Sequence, residues 1–471
     1  MFKMRTRFAV VIGLLCGHAS SGWAAQDLLH IYQRAALQDP QLASAQAATG
    51  GAEARYRQAR GQLLPNLSGS ASFSKLKSID KSDDDGSPFG AGTGGTGGAM
   101  VPPDTSDPDF EDQQALNLNL RQPIFNWSAF QAKDAAAARS EVALAELSQA
   151  RQSLIVRSAQ RYFDVLAAKE ALYAAQQQQE LISRQLDRAK ASFESGLIPI
   201  TDSLEAQSEL DRTRVDDIEA RNQLRQARNA LSQLIGSVPG ELAPVAAPVK
   251  PAPPEEPADD WVSSGLLRSP NVAAAQLRLK ASEQEISQAW GGHYPTLDFV
   301  ARLGQTEQSF NFIGSVRTTV TATQSFGVEL SVPLFAGFTV NAQIDEAEYA
   351  AQQARQDLIA AQRQVSLDVQ TAYGDLQAAV ARIDALGASI KSGKAAAEAA
   401  KAGLQTGTRN ILDVLQADLD LVQRKADLKQ AWYDYLLAEL RLRQAAGVLS
   451  EANLRQVNAR LQVDTATPQV P

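Results

Sequence analysis

Among 471 residues there is one cysteine, Cys16, with three histidines and three methionines. A single thiol forms no disulfide framework. His30 and His293 stand far apart with no cysteine near either, so the sequence offers no metal-ligand cluster and no Cys/His or Ser/His nucleophile pairing. No cofactor, metal or catalytic residue is expected, and the chain does not read as an enzyme. Long apolar runs are missing as well: past the N-terminus no stretch of 18 apolar residues occurs, so no membrane-spanning helix is expected. Basic charge is in deficit, with 45 Lys and Arg against 53 Asp and Glu, which argues against nucleic acid as a partner.

What is present begins with an export signal. Lys3, Arg5 and Arg7 precede a nine-residue apolar core, Phe8 to Cys16, and Gly22 and Ala24 occupy the −3 and −1 positions of a cut before Ala25. Residues 1–24 therefore read as a secretory signal peptide, too short in its core to span a bilayer. Leu15 fills the position before Cys16 where lipidation requires a small residue. Losing three basic residues takes the net charge from −8 to −11. An exported chain with no remaining cysteine fits a Gram-negative envelope protein.

The remainder is a two-fold duplication. DPQLASAQAATGGAEARYRQARGQLLPNL, from Asp39, lies on SPNVAAAQLRLKASEQEISQAWGGHYPTL, from Ser269, at a constant offset of 230. LNLRQPIFNW from Leu118 lies on VELSVPLFAG from Val328 at 210, and GLIPITDSLEA from Gly196 lies on GTRNILDVLQA from Gly407 at 211. Repeat 1 spans 25–237 and repeat 2 spans 258–450. Between them, 238–257 holds seven prolines, an extended linker. Residues 451–471 form a C-terminal segment and tail.

Within each repeat, two segments alternate apolar and polar residues with period two, expected as strands near 66–77 and 114–125 in the first and near 296–306 and 325–335 in the second. Ten-residue strands with one apolar and one polar face suit a transmembrane barrel or a half-buried soluble sheet. Lys77 to Asp112 is a long acidic Gly- and Pro-rich loop, ordinary on an outer-membrane barrel and implausible inside a compact domain. Pro123 and Pro333 are expected to end the ladders, and the aromatics Phe125, Trp127 and Phe335 to sit at the height of lipid headgroups.

A helical hairpin follows each strand pair, near 127–237 and 337–447. From Trp127 to Ser195, 69 residues contain no Gly or Pro, and such a helix would reach on the order of 100 Å. Its counterpart, Thr339 to Gln405, carries Gly374, Gly387, Gly393 and Gly403 and is expected to bend. In the returning helix Val414, Leu421, Leu428, Tyr435 and Leu442 recur every seven residues, with Ala417, Ala431, Ala438 and Ala445 three places on. Leu210, Leu224 and Leu231 with Ala206, Ala220 and Ala227 repeat the pattern one half earlier, as coiled-coil packing requires. Four strands cannot close a barrel, and open edges cannot face lipid. Pooling strands with copies of itself solves this: three chains supply twelve strands and room for a lumen.

QDLLHIYQRAALQDPQL, GGHYPTLDF, QPIFNW with VPLFAG, GLIPITD and GTRNILDVL resemble the TolC family of outer-membrane efflux and type I secretion ducts, from about Asp27 to Leu461 in one order. The resemblance implies an α+β membrane duct: a homotrimer whose twelve-stranded β-barrel in outer-membrane lipid is continuous with a long antiparallel α-helical coiled-coil barrel closed at its periplasmic tip. It implies partners too, a periplasmic adaptor and an inner-membrane pump or ABC transporter. At the tip it makes Arg409 the arginine that bonds a neighbouring hairpin, Thr201 and Asp202 its partners, and Asp413 a constriction aspartate. Gln416 stands where the family's namesake has a second aspartate, and Leu404 where it has a gating tyrosine.

Simpler readings exist for the same residues. Asp202 with Glu205 three places on fits a capping box, and Asp413 three after Asn410 fits a helix's first turn, where the dipole favours an acid. The alternative function is a periplasmic adaptor or a coiled-coil structural envelope protein, but an adaptor usually carries one hairpin, and two hairpins with four strands are present here.

Overall fold

The computed structural model describes residues 26–77, 110–196, 198–245, 250–254, 256–312, 315–406, 408–409 and 411–461. The expected signal peptide, most of the acidic loop and the tail beyond Leu461 lie outside the described residues. Each repeat contributes a short helix, a longer helix, two strands and a hairpin of very long helices. In the first these are α1 (Leu28–Gln38), α2 (Pro40–Gly61), β1 (Asn66–Lys77), β2 (Phe110–Phe125), α3 (Trp127–Glu194) and α4 (Ile200–Ile235). In the second they are α5 (Ala258–Arg268), α6 (Pro270–Trp290), β3 (Thr296–Phe312), β4 (Ser315–Ser331), α7 (Thr339–Gln405) and α8 (Ile411–Ala445), and α9 (Glu451–Asn458) follows. Equivalent helices match closely in length: 68 and 67 residues for α3 and α7, 36 and 35 for α4 and α8.

The chain divides into two compact units. One comprises residues up to Ala47, Ala145–Ala273 and everything from Ala360 on; the other comprises Ala48–Leu144 and Ala274–Ile359.

The second unit holds the sheet. All four strands pair antiparallel in the order β1-β2-β3-β4, so the two repeats join through β2 and β3, and β1 and β4 are left as edges. Register decides what each face presents. Leu67, Leu120, Ala301 and Phe326 stand in one cross-strand row, Gly69, Leu118, Leu303 and Gln324 in the next, with Phe299 beside Val328 and Leu297 beside Leu330. This face is apolar and open to solvent within the chain: Phe326 is 76% exposed, Leu330 63% and Leu116 60%. The opposite face carries Ser68, Ser70, Asn117, Asn119, Thr321 and Thr323, and across it Arg121 donates to Asp298 at 2.6 Å. A soluble sheet would bury the apolar face; this one leaves it uncovered, as a surface for hydrocarbon.

The strands differ from expectation in extent. β3 and β4 run to Phe312 and from Ser315, where a longer loop was expected. Val320 and Ala322 give only a weak apolar alternation against Thr319, Thr321 and Thr323, but threonine suits the pleated backbone, and the ladder pairs it throughout. Pro333 lies past the end of β4, whereas Pro123 sits inside β2 next to a register shift at Phe125. The β1 ladder stops at Arg121, so Pro123 lies on a local edge of β2, where proline is tolerated.

In this unit Trp127 starts α3 with its indole donating to the Ser287 carbonyl at 3.1 Å and its ring edge-on to Tyr294. α7 is one unbroken helix through Gly374, Gly387 and Gly393; each costs only about 1 kcal/mol against alanine, too little to break a helix flanked by long helix-forming runs.

The first unit holds the hairpin ends and the short helices. Asp39 closes α1 and accepts from the Leu42 amide at 3.0 Å at the start of α2, while Arg157 of α3 donates to the same carboxylate at 2.6 Å. Buried Tyr162 donates to the Ala243 carbonyl at 2.6 Å, tying α3 to the linker, and burial pushes its phenol well above the usual range. Toward the turn, Ile182, Leu186 and Ala189 of α3 bury against Ala206 and Leu210 of α4, and Leu415 and Leu419 of α8 pack on the same cluster. The two hairpins therefore share a core.

Leu118→Arg, on the apolar face, should cost about 2–4 kcal/mol of folding stability in lipid vesicles, and Asn119→Arg, one residue on, less than about 1 kcal/mol. Urea-driven unfolding in vesicles measures both. Leu210→Ala should cost about 2–5 kcal/mol locally, read as faster amide hydrogen exchange in the facing turns of α3 and α4 with the sheet's protection unchanged.

Candidate functional site: the two helical turns

Both hairpins turn within a few residues, and the sequence-derived gate residues lie at those turns. In the first, Gly196 takes a φ of 71° and its amide donates to the Phe193 carbonyl at 2.8 Å. Pro199 then serves as N-cap of α4 with no side-chain cap bond. The capping box expected at Asp202 is absent, because the helix starts at Ile200 and leaves Asp202 and Glu205 inside it. Asp202 instead lies in the first turn of α4, where the helix dipole favours an acid. Exposed Thr201 donates its hydroxyl to Asp202 Oδ1 at 3.2 Å.

In the second turn, Asp413 occupies the equivalent place in the first turn of α8. Arg409, exposed, stands one helical turn before it, with Nη1 4.0 Å from Asp413 Oδ2. An exposed pair at that distance is worth at most about 1 kcal/mol, so it holds the guanidinium loosely. Lys401 near the end of α7 pairs with Asp418 of α8 at 2.9 Å and braces the two helices. Leu404 is half-buried on α7, and Gln416 is exposed. Asn410 lies outside the described residues. Each turn thus presents one acid at a helix N-terminus, and only the second adds an arginine; Ile198, its counterpart in the first, packs on the apolar cluster.

Gln416 also belongs to a pattern that heptad counting of apolar residues overlooks. Asp413, Asp420, Asp427 and Asp434 recur every seven residues along α8, with Gln416, Gln423 and Gln430 between them. Each glutamine donates Nε2 to the aspartate four residues on, at 2.8, 2.9 and 2.8 Å. Much of this stripe lines an open groove of about 560 Å³ between α3, α4 and α8, to which α4 adds Asp216 and Glu219 and α3 adds Glu170. The groove exists because α3 presents small residues there, Ala167, Ala171, Ala174 and Ala175. Among the described residues no group of three or more His, Cys, Asp or Glu is placed to hold a metal ion. Of the expected interface aromatics, Phe335 is 78% exposed and stacks edge-on with Phe338, Phe125 is partly exposed, and Trp127 is half-buried against Ser287 and Tyr294.

The pairing of a four-stranded sheet with two such hairpins recurs in proteins already known. Residues 31–237 and 261–448 match the family described as outer membrane efflux protein. Outer membrane protein TolC of Vibrio cholerae is 30% identical over 98% of this chain and 99% of its own length. The alkaline protease secretion protein AprF of Pseudomonas aeruginosa is 28% identical over 77% of this chain and 75% of its own. Among solved structures, the CmeC outer membrane channel of Campylobacter jejuni superposes with a TM-score of 0.74 at 17% identity, covering 98% of this chain and 99% of that one. The adaptor and structural alternatives are thereby set aside: the chain belongs to the outer membrane efflux protein family, with the fold of its channels and a place in the outer membrane.

Proposed function

We propose that three copies of this chain form an export duct, pooling their sheets into a twelve-stranded barrel across the outer membrane and setting six helical hairpins side by side on the periplasmic side. The observation that carries this reading is the sheet, whose apolar face is exposed and whose edges β1 and β4 have no partner strand among the described residues. In hydrocarbon an open edge leaves backbone groups unsatisfied at several kcal/mol each, and joining the β4 edge of one chain to the β1 edge of the next removes every edge. Phe125 and Phe335 then lie near the headgroups, where aromatics are favoured.

The hairpin turns form the gate of that duct. Asp202 and Asp413 alternate around one opening, and Arg409 exchanges its loose contact with Asp413 for Thr201 and Asp202 of an adjacent hairpin. Gln416 and Leu404 give this ring fewer charges and a different bonding pattern from the family's namesake. Cargo enters from an inner-membrane pump or ABC transporter through a periplasmic adaptor. Both small solutes and proteins fit the reading, since the family is described by efflux and AprF is named for protease secretion.

Deleting the gene should raise drug sensitivity if small solutes are the cargo, and abolish secretion of a type I substrate if proteins are. If deletion changes neither drug sensitivity nor secretion, the export reading is overturned. In planar bilayers, Asp413→Ala should lower cation selectivity and weaken block by multivalent cations; unchanged selectivity and block would remove Asp413 from the constriction.

A further inference from the structure

Near its end, α7 is held by one carbonyl. The oxygen of Gly403 accepts the amides of Thr408 at 2.9 Å and Arg409 at 3.2 Å, and the hydroxyls of Thr406 at 3.1 Å and Thr408 at 3.2 Å. The bond from the Thr408 amide is the six-to-one bond of a Schellman-type helix end. Together these donors wrap the chain back over the last helical turn, with Gly403 at the centre of the wrap.

That wrap lays Arg409 on Gly403. A β-carbon added at position 403 would lie 2.6 Å from Arg409 Cγ and 3.2 Å from its Cβ. Both are stem atoms, so rotating the guanidinium aside relieves nothing. A methyl group at 403 requires the arginine stem, or the turn that carries it, to move.

The duplication supplies an independent comparison. At the offset of 211, Ser192 stands where Gly403 does and Ile198 where Arg409 does. Ile198 packs on the cluster of its own hairpin. Glycine in the last turn and arginine beyond it thus occur together in the second repeat, and both are missing from the first. Glycine is disfavoured within a helix, and at 403, unlike at 374 and 387, the space of the missing β-carbon is taken up by the arginine stem.

We propose that Gly403 is the positioning residue for Arg409. Its missing β-carbon is a seat that holds the arginine stem against the end of α7 and fixes the direction in which the guanidinium leaves the turn. Gly403 itself bonds no neighbouring hairpin and acts only through Arg409. The inference rests on the reading of Arg409 as part of the gate.

The test is single-channel conductance of the intact, purified protein in planar bilayers, for wild type, Arg409→Ala, Gly403→Ala, Gly403→Ser, the double variant Gly403→Ala/Arg409→Ala, and Gly387→Ala. Gly387 lies in the same helix with nothing of its own chain within 4 Å of an added β-carbon, so it reports the effect of a helix glycine alone. Arg409→Ala, Gly403→Ala and Gly403→Ser should each raise conductance severalfold, the double variant should match Arg409→Ala with no further gain, and Gly387→Ala should behave as wild type. Thermal unfolding should show all variants folded to the same extent. If Arg409→Ala opens the channel and Gly403→Ala does not, the seat is wrong while the gate reading stands. An additive double variant, or an open Gly387→Ala, also overturns the seat. If Arg409→Ala leaves conductance unchanged, the gate role of Arg409 fails and the seat falls with it.

Discussion

A sheet edge inside hydrocarbon leaves a row of N–H and C=O groups with neither water nor a neighbouring strand to bond, and the rest of the molecule follows from that constraint. Four strands with two free edges and an exposed apolar face cannot be a finished structure in either solvent. Water penalises the face and lipid penalises the edges. In the proposed trimer, assembly would satisfy both at once and would gather the six helical hairpins into a ring. Among the described residues no helix is long and apolar enough to cross a bilayer, and the returning helices bury alternating large and small residues within the chain, Ala206, Leu210, Ala220 and Leu231 in α4 and Ala431, Tyr435, Ala438 and Leu442 in α8.

Much of this architecture is legible in the sequence because its periodicities are strong. The offsets of 230, 210 and 211 expose the duplication, and alternation in Leu116, Leu118 and Leu120 marks a strand without further information. The parts that were less legible share a physical cause, which is that a local signal competes with a tertiary one. The threonine-rich start of β4 alternates only weakly, Val320 and Ala322 against Thr319, Thr321 and Thr323, and is held as strand by its ladder to β3. Pro123 reads as a terminator, yet β2 continues through it at a point where the β1 ladder has already stopped. Glycines interrupt the helix-forming run of α7, yet the helix continues through them. At the turns, the positions of Asp202 and Asp413 could be found from sequence, but the seating of Arg409 on Gly403 could not, because it depends on how the chain wraps after the helix ends.

The duplication also explains why the two turns are alike in form and unlike in charge. Both place an acid in the first turn of a returning helix, where the helix dipole stabilises it by about 0.3–1 kcal/mol with or without a pore. That shared feature is structural before it is functional. The difference between the repeats is the informative part: one turn folds Ile198 inward onto the apolar cluster, and the other sends Arg409 outward over a glycine. In the proposed trimer, a ring built from both kinds of turn would have six acids and three arginines, so its electrostatic symmetry would be threefold although its backbone is close to sixfold.

The central claim is that the sheet is completed only by other copies of the same chain. Native mass spectrometry of the protein extracted from outer membranes in mild detergent tests it most directly. A particle of three processed chains, with no folded monomer, is predicted. A folded monomer carrying the intact four-stranded sheet in the outer-membrane fraction would contradict it.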